Sequence, residues 1–511
     1  MDIRNESEYD NVIICYNICM AKTFFFYDLE TSGLNARYDR IMQFAGVRTD
    51  EKFNAIGDPV NLLIKLPDDT LPSPESVLIT KITPQQTVRE GLTEAEFAEY
   101  FMDEIALPDT IFTGYNNVRF DDEFMRHFLW RNFRDPYEWT WSDGRSRWDL
   151  LDVVRLVRAL RPDGIGWGFI EKDGKKIPTN NLVDMARLNG FENTNAHDAL
   201  ADVYALIGVA KLLREKQPKM FDYLLAMRDK KSVAKLAGAG QPFVYASGRY
   251  SSEFEKTTVA AMIAPTRSGA LVWDLRSDAD EFAKLSEKEI LANMTANYET
   301  RHADDFVPLP VKEICFNKCP AIAPLGTLDA GAQKRLKLNL AEVEKNFRVL
   351  QKNRGLIDKI AAAWNAKPEF ALAGDVEGRL YDSFADNADK PKIRVVAAAK
   401  ANDLADFHPN FVDERLTELL LRYKARNYPK SLSDAEKNLY EEWKNAKLTR
   451  EIPEYVKKLS WIAAIAHDET PADLGDNEKK RFFAFKNRYK DLNIDDFILE
   501  ELKLWLESIA P

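Results

Sequence analysis

Cysteine is scarce in this chain: four in 511 residues, at Cys15, Cys19, Cys315 and Cys319. That excludes a disulfide-stapled scaffold. The two C-x₃-C pairs come with no histidine-rich segment to complete a zinc site, so the four read as reduced cytosolic thiols. With 22 glycines and 23 prolines the chain is neither collagen-like nor of low complexity. No apolar run approaches the ~18 residues of a membrane-spanning helix. The short apolar piece Val12–Tyr16 follows Glu6, Glu8 and Asp10 and has no basic flank, so it is a poor secretory signal. Residues 1–21 read as a disordered extension, Met20 is an alternative start, and the cytoplasm is the expected compartment. Positive charge is also short. Against 82 Asp and Glu there are 71 Lys and Arg, a net −11, so polyanion binding by the whole surface is disfavoured and only a local basic cleft remains open.

What is present is an ordinary globular composition, 45% hydrophobic and 30% charged, long enough for two to four domains of ~100–200 residues. Thr23–Tyr27, Arg40–Arg48 and Ile111–Tyr115 are β-prone, and Phe53–Gly57 closes a hairpin. Amphipathic helices are expected over 93–106, 121–133 and 198–215. In the last of these Leu200, Val203, Leu206, Ala210 and Leu213 recur at helical spacing. A mixed α/β domain over 22–215 follows from this order. Short apolar runs broken by Gly, Pro and Ser then indicate a β-rich domain, 218–368, already helical from about 330. A helical domain, 372–511, has a looser start up to about 410 and includes helices over 414–425 and 496–508.

The sharpest motif is Phe26-Tyr-Asp-Leu-Glu-Thr31. On a strand, Asp28 and Glu30 share one face, and two carboxylates held there repel unless protonated, hydrogen-bonded or bridged by a cation. Taken alone, the pair is equally a solvated strand end. Asn117-Val-Arg-Phe-Asp121 follows a second strand and opens a helix, where Asp121 suits a helix cap as well as a site. His197 and Asp202, in Asn195-Ala-His-Asp-Ala-Leu-Ala-Asp202, lie about 140° apart around a helix axis. They can flank one cleft if His197 sits on the entry to the helix. Asp198 reads as the first-turn partner of the helix dipole.

In this order the pieces resemble the DEDDh exonucleases, the ribonuclease-H-like 3′→5′ nucleases. Asp28-Leu-Glu-Thr-Ser-Gly, Gly114–Glu123, Arg147–Asp152 and Asn195–Tyr204 are similar to the bacterial exonuclease I family. So are Asn317-Lys-Cys-Pro320, Phe411–Arg415 and Tyr423–Pro429, and similarity runs from about Thr23 to the end. The resemblance implies an α/β, ribonuclease-H-like exonuclease domain with a mixed sheet, an SH3-like β domain and an all-helical C-terminal domain. It implies two Mg²⁺ ions, with Mn²⁺ able to substitute, held by Asp28, Glu30, Asp121 and Asp202, and His197 as general base. The substrate it implies is single-stranded DNA, cut to 5′-mononucleotides, in repair and recombination. It further implies a monomer that docks the acidic tail of single-stranded DNA-binding protein. Two alternatives stay open here: an inactive DNA-binding protein on a nuclease fold, and an RNA-trimming DEDDh exonuclease, against which the two extra domains argue.

Residues 124–161 carry eight arginines against five acids, with eight aromatic residues among them. Arginines on phosphates and rings under bases are what a single-strand channel needs, although any one of these rings is as readily core. By resemblance, Glu30, Arg126, Tyr137, Trp141 and Arg155 contact substrate, with Arg249 and Lys318 in the β domain. Sixteen positions before His197, where the family has a basic residue at the terminal nucleotide, this chain has Asn181. The loop Glu171–Lys176 offers replacement lysines. Asp149 and Asp152 read as structural partners of nearby arginines, and Cys315 and Cys319 as part of a packed β element.

Overall fold

The run Thr23-Phe-Phe-Phe-Tyr27 is apolar at consecutive positions because its strand, β1 (Thr23–Thr31), is the middle of a five-stranded sheet covered on both faces. The computed structural model describes residues 22–172, 174–191, 198–368, 373–471, 474–490 and 492–511. The expectations placed on residues 1–21, with Cys15 and Cys19, lie outside them. β2 (Ile41–Thr49) is antiparallel to β1, and β3 (Val60–Leu63) antiparallel to β2. β4 (Thr110–Gly114) is parallel to β1, and β5 (Ser146–Asp149) parallel to β4. The order β3-β2-β1-β4-β5 is therefore the expected mixed sheet.

Strand alternation divides β1 between two cores. Phe24 and Phe26 pack with Phe53, Trp148 and Val203, Leu206 and Ala210 of the helix Ala199–Lys216. Phe25, Tyr27 and Leu29 face Phe44, Phe97, Phe101, Phe112 and Trp139. The helix expected over 93–106 is α only from Glu94 to Tyr100, opened by a Thr93/Glu96 capping box, and Phe101–Ile105 form a π turn. Residues four apart drift about 40° per step around an α-helix. The wider turn keeps Phe97, Phe101 and Ile105 together on the buried side. A hairpin, β6 (Gly168–Lys172) and β7 (Lys175–Thr179), follows the helix Leu150–Leu160.

β8 (Phe243–Ala246), β9 (Thr257–Pro265), β10 (Gly269–Asp274), β11 (Val311–Cys315) and β12 (Ile322–Pro324) make a second, antiparallel sheet in the order β11-β10-β9-β8-β12. Val244, Val259, Ala261, Leu271 and Trp273 belong to the same buried cluster as Val153 and Val157 of the Leu150–Leu160 helix. The change of texture near residue 217 thus marks a change of architecture within a continuous core.

The helical region packs back onto the first domain. Leu416, Leu419 and Tyr423 of the helix Glu414–Asn427 cover Trp130 and Phe133. Leu459 and Ile462 of the 33-residue helix Asp434–Ala466, with Leu499 and Leu502 of Asp496–Ile509, cover Val77 and Leu78. The stretch read as loose, 366–410, contains the short helices Lys390–Ala398 and Ala401–Ala405. A buried ion cluster fixes the seam. Glu377 accepts from Arg40 at 2.7 Å, Arg426 lies 2.6 Å from the same carboxylate, and Arg422 is 3.4 Å away. Arg426 also reaches Asp69 at 2.7 Å, and Arg131 pairs with Glu94 at 2.9 Å.

Candidate active site and nucleic-acid groove

Asp28 and Glu30 share the β1 face of Phe24 and Phe26, the face covered by the helix Ala199–Lys216. That helix sends Val203, Leu206 and Ala210 into the core, which brings Asp202, in its first turn, to the carboxyl end of β1. One ligand atom from each of Asp28, Glu30 and Asp202 lies within 4.8 Å of the other two. Asp121 arrives from the adjacent parallel strand. β4 ends at Gly114, where a Cβ would meet the Asn117 side chain at 2.5 Å, so glycine permits the tight exit that leads to the helix Asp121–Arg131. The site lies where β1 has an antiparallel neighbour on one side and a parallel one on the other, at carboxyl strand ends.

Asp121 is outside the 4.8 Å group, yet its charge acts on both Asp28 and Glu30. It does not cap its helix, because the cap position is Phe120 and no side chain bonds there. Asp198 does cap, accepting from the Leu200 amide at 3.1 Å. His197 lies outside the described residues. Burial, reinforced by Asp121, Glu30 and Asp202, holds the Asp28 carboxyl well above the usual carboxylate range. Burial and then Asp202 and Asp121 push Glu30 up to about 8. Burial does the same to Asp121, with Asp122 and Asp149 adding to it. None of the main influences on Asp28 or Glu30 is a cation. Crowded carboxylates offering only hard oxygen donors fit a divalent cation that prefers oxygen ligands.

The neighbouring acids have a different fate. Asp122 is fully buried and accepts from Tyr27, Arg147 and Asn117. Asp149 caps the Leu150–Leu160 helix and accepts from the Asn116 amide at 2.9 Å. Asp152 binds Arg155 at 2.6 Å and Arg119 at 2.7 Å. The reading of Asp149 and Asp152 as arginine partners agrees with this geometry. Cys315 ends β11, and Cys319 is buried with its thiol on the Arg147 carbonyl at 3.3 Å, so both lie in the packed β element expected of them.

Between the two sheets is a cavity of about 350 Å³ lined by Arg119, Arg155, Arg249, Lys312 and Lys318, with Tyr245 and one carboxylate, Glu313. A Cβ at Gly248 would sit 3.1 Å from both terminal nitrogens of Arg155, so glycine leaves the guanidinium its place. Lys312 lies 3.5 Å from the centre of the Tyr250 ring and donates to the Arg249 carbonyl at 2.7 Å. The basic cleft allowed by a net charge of −11 is therefore present. Arg119 and Lys312 were passed over in the sequence; the signal was there in Arg119, inside the Asn117–Asp121 motif, and in Lys312, alternating with Ile314 on a strand.

The arginine-rich segment is mostly structural. Arg131 pairs with Glu94, Arg147 with Asp122 and Arg158 with Glu255. Phe124, Phe128, Trp130, Phe133, Trp139 and Trp148 are core. Of the eight rings only Tyr137 and Trp141 reach the surface, Trp141 at 68% exposure, and these are the two singled out for DNA. Arg126 stacks over Tyr137 at 5.6 Å. The Asn181 side chain caps the helix Leu182–Leu188 by accepting from Val183 at 2.8 Å, a role the sequence reading did not give it.

Comparison with known proteins agrees in all three parts. The exonuclease family model matches residues 25–210, the exonuclease I SH3-like domain 228–366 and the exonuclease I C-terminal domain 374–493. The chain is 39% identical to exodeoxyribonuclease I of Haemophilus influenzae over 453 residues, which is 88% of this chain and 95% of that one. Its structure is similar to that of Escherichia coli exonuclease I in complex with a dA16 oligonucleotide, with a TM-score of 0.86 and 35% identity, covering 96% of this chain and all of that one. An SSB/exonuclease I complex with an inhibitor matches at a TM-score of 0.81 and 33% identity, covering 96% of this chain and all of that one. With its acidic cluster on a mixed sheet, its second β domain and its helical C-terminal domain, the chain belongs to the exonuclease I family.

Proposed function

We propose that this chain hydrolyses single-stranded DNA from its 3′ end and releases 5′-mononucleotides. The observation that carries the reading is the convergence of Asp28, Glu30 and Asp202 within 4.8 Å, with Asp121 close enough to act on them. These four would hold two Mg²⁺ ions, or Mn²⁺ in their place. Bound there, the ions supply Lewis acidity and offset the charge that builds on a phosphodiester under attack. His197, five residues ahead of Asp202, accepts the proton of the attacking water, since an imidazole titrates near working pH. Arg155, Arg249 and Lys318 in the groove, with Arg126, face the backbone phosphates, while Tyr137 and Trp141 lie under bases. Glu30 also faces the terminal nucleotide. At Asn181 an amide replaces a cation, and it offers its nitrogen as donor because its oxygen is engaged in the cap.

The same reading makes the protein a monomeric bacterial cytoplasmic enzyme of DNA repair that docks the acidic tail of single-stranded DNA-binding protein. No helix among the described residues is long and apolar enough to cross a membrane.

Product analysis tests the proposal. Single-stranded DNA with Mg²⁺ yields mononucleotides bearing 5′-phosphates, and duplex DNA and RNA of the same sequence yield far less. His197→Ala lowers turnover by about 10²–10⁴-fold, the usual share of general base catalysis, and keeps DNA binding. Oligonucleotide products, or faster cleavage of RNA, would remove the proposed reaction; near-normal turnover in the variant would remove His197 from its role.

A further inference from the structure

Glu123 sits where the three parts of the chain meet. It lies on the helix Asp121–Arg131 and accepts from Arg126 of the same helix at 2.9 Å. Lys318, just beyond β11, is 3.6 Å from the same carboxylate oxygen. The other oxygen accepts from the hydroxyl of Tyr381, at the start of the helical domain, which also lies 3.5 Å from Arg126. The Glu123 side chain is 21% exposed, so solvent and ligand reach it. Arg126 and Lys318 are two of the cations assigned above to DNA phosphates. Both already have an anionic partner within the chain, and it is the same one.

A carboxylate seated between a guanidinium and an ammonium supplies the charge and the acceptor oxygens that a phosphodiester supplies in a complex. We propose that Glu123 is a resident phosphate mimic: it holds Arg126 and Lys318 in their binding positions and is exchanged for a backbone phosphate when the strand enters. The inference rests on the single-stranded DNA reading and deepens it, since it concerns how the same groove takes its substrate. Entry by exchange has two consequences. The three groups carry a net +1 rather than +2, which weakens the grip on any polyanion. As a phosphate leaves, its cations return to Glu123 and are never left unpaired, so a strand can advance without a large loss of contact at each step. The Tyr381 hydroxyl, bonded to the second oxygen, keeps the carboxylate near its partners throughout.

The test is binding of a fluorescent oligo-dT in EDTA, by anisotropy, across 50–200 mM NaCl. Glu123→Gln, which keeps an acceptor for Tyr381, and Glu123→Ser are expected to bind more tightly than the parent at 50 mM. Freeing one net positive charge steepens the slope of log K against log salt by about 0.7 for a single strand, so the advantage shrinks by about 2.6-fold at 200 mM. Glu123→Asp, which retains the charge, keeps the parental slope, and this separates charge from packing. In steady state the Gln variant shows a lower KM with kcat at or below the parental value. Unchanged or shallower slopes in both neutral variants would overturn the proposal and leave Glu123 a structural brace. A parent protein that binds no single-stranded DNA would instead overturn the reading on which it rests.

Discussion

Asparagine at position 28 is expected to lower turnover by about 10³-fold and, in the same protein, to raise the melting temperature of the metal-free form. The first effect follows from the loss of a ligand whose cation supplies several kcal/mol of charge stabilisation, each 1.36 kcal/mol being tenfold in rate. The second follows from repulsion. Asp28 is held well above its ordinary value by burial and by Asp121, Glu30 and Asp202, while Glu30 and Asp121 are pushed up to about 8. Between their unfolded values near 4 and those raised native values, the native state binds more protons than the unfolded one, so metal-free stability falls as pH rises through that window. Mg²⁺ opposes the fall, and its stabilisation grows as pH rises through about 8, where Glu30 and Asp121 become charged. Melting curves with and without Mg²⁺, for parent and Asp28→Asn, read all of this. Lower activity together with lower metal-free stability would make Asp28 a structural residue.

Glu377→Ala is expected to cost about 3–5 kcal/mol, the usual consequence of removing one partner from a buried charge cluster. It leaves Arg40, Arg422 and Arg426 without their shared carboxylate. Because the cluster ties the helical region to the first domain, opening should concentrate in the helix Glu414–Asn427, where hydrogen exchange would detect it. The pH dependence has the opposite sign to that of the acidic site. Arg40, Arg426 and Arg422 outweigh burial and hold Glu377 well below the usual carboxylate range, and Arg426 and Lys447 lower Asp69 likewise. Their contribution is complete above their unfolded values near 4 and is lost as pH falls towards the native ones. The variant should therefore show a flatter acid limb than the parent. An unchanged acid limb and unaltered exchange would place the strength of the seam in the apolar contacts of Trp130 and Phe133 instead.

What was legible in the sequence was local. Period-two alternation placed Asp28 and Glu30 on one face, and a 3.6-residue repeat placed Val203, Leu206 and Ala210 under Asp202, which is enough to bring the acids together once strand and helix pack. Phe24, Phe25, Phe26, Tyr27 and Leu29 mark β1 as a strand inside a sheet, and there it lies. Partners distant in sequence were not legible. Eight arginines in one segment look like a nucleic-acid surface, but whether Arg131 meets a phosphate or Glu94 is decided by a helix that begins 37 positions earlier. Glu123 gave no separate signal, since its E-x-x-R spacing with Arg126 is an ordinary helix pair, and its meaning comes from Lys318 and Tyr381. The π turn at Phe101–Ile105 arises from core demand, which propensity does not encode.

The most direct test of the central claim uses a 5′-labelled single-stranded DNA with Mg²⁺, beside an EDTA control and Asp202→Ala. A ladder that shortens from the 3′ end is expected with the parent protein and is absent from both controls. A strand that stays intact under every condition while remaining bound would contradict it, and would make this chain a DNA-binding protein on an inactive nuclease fold.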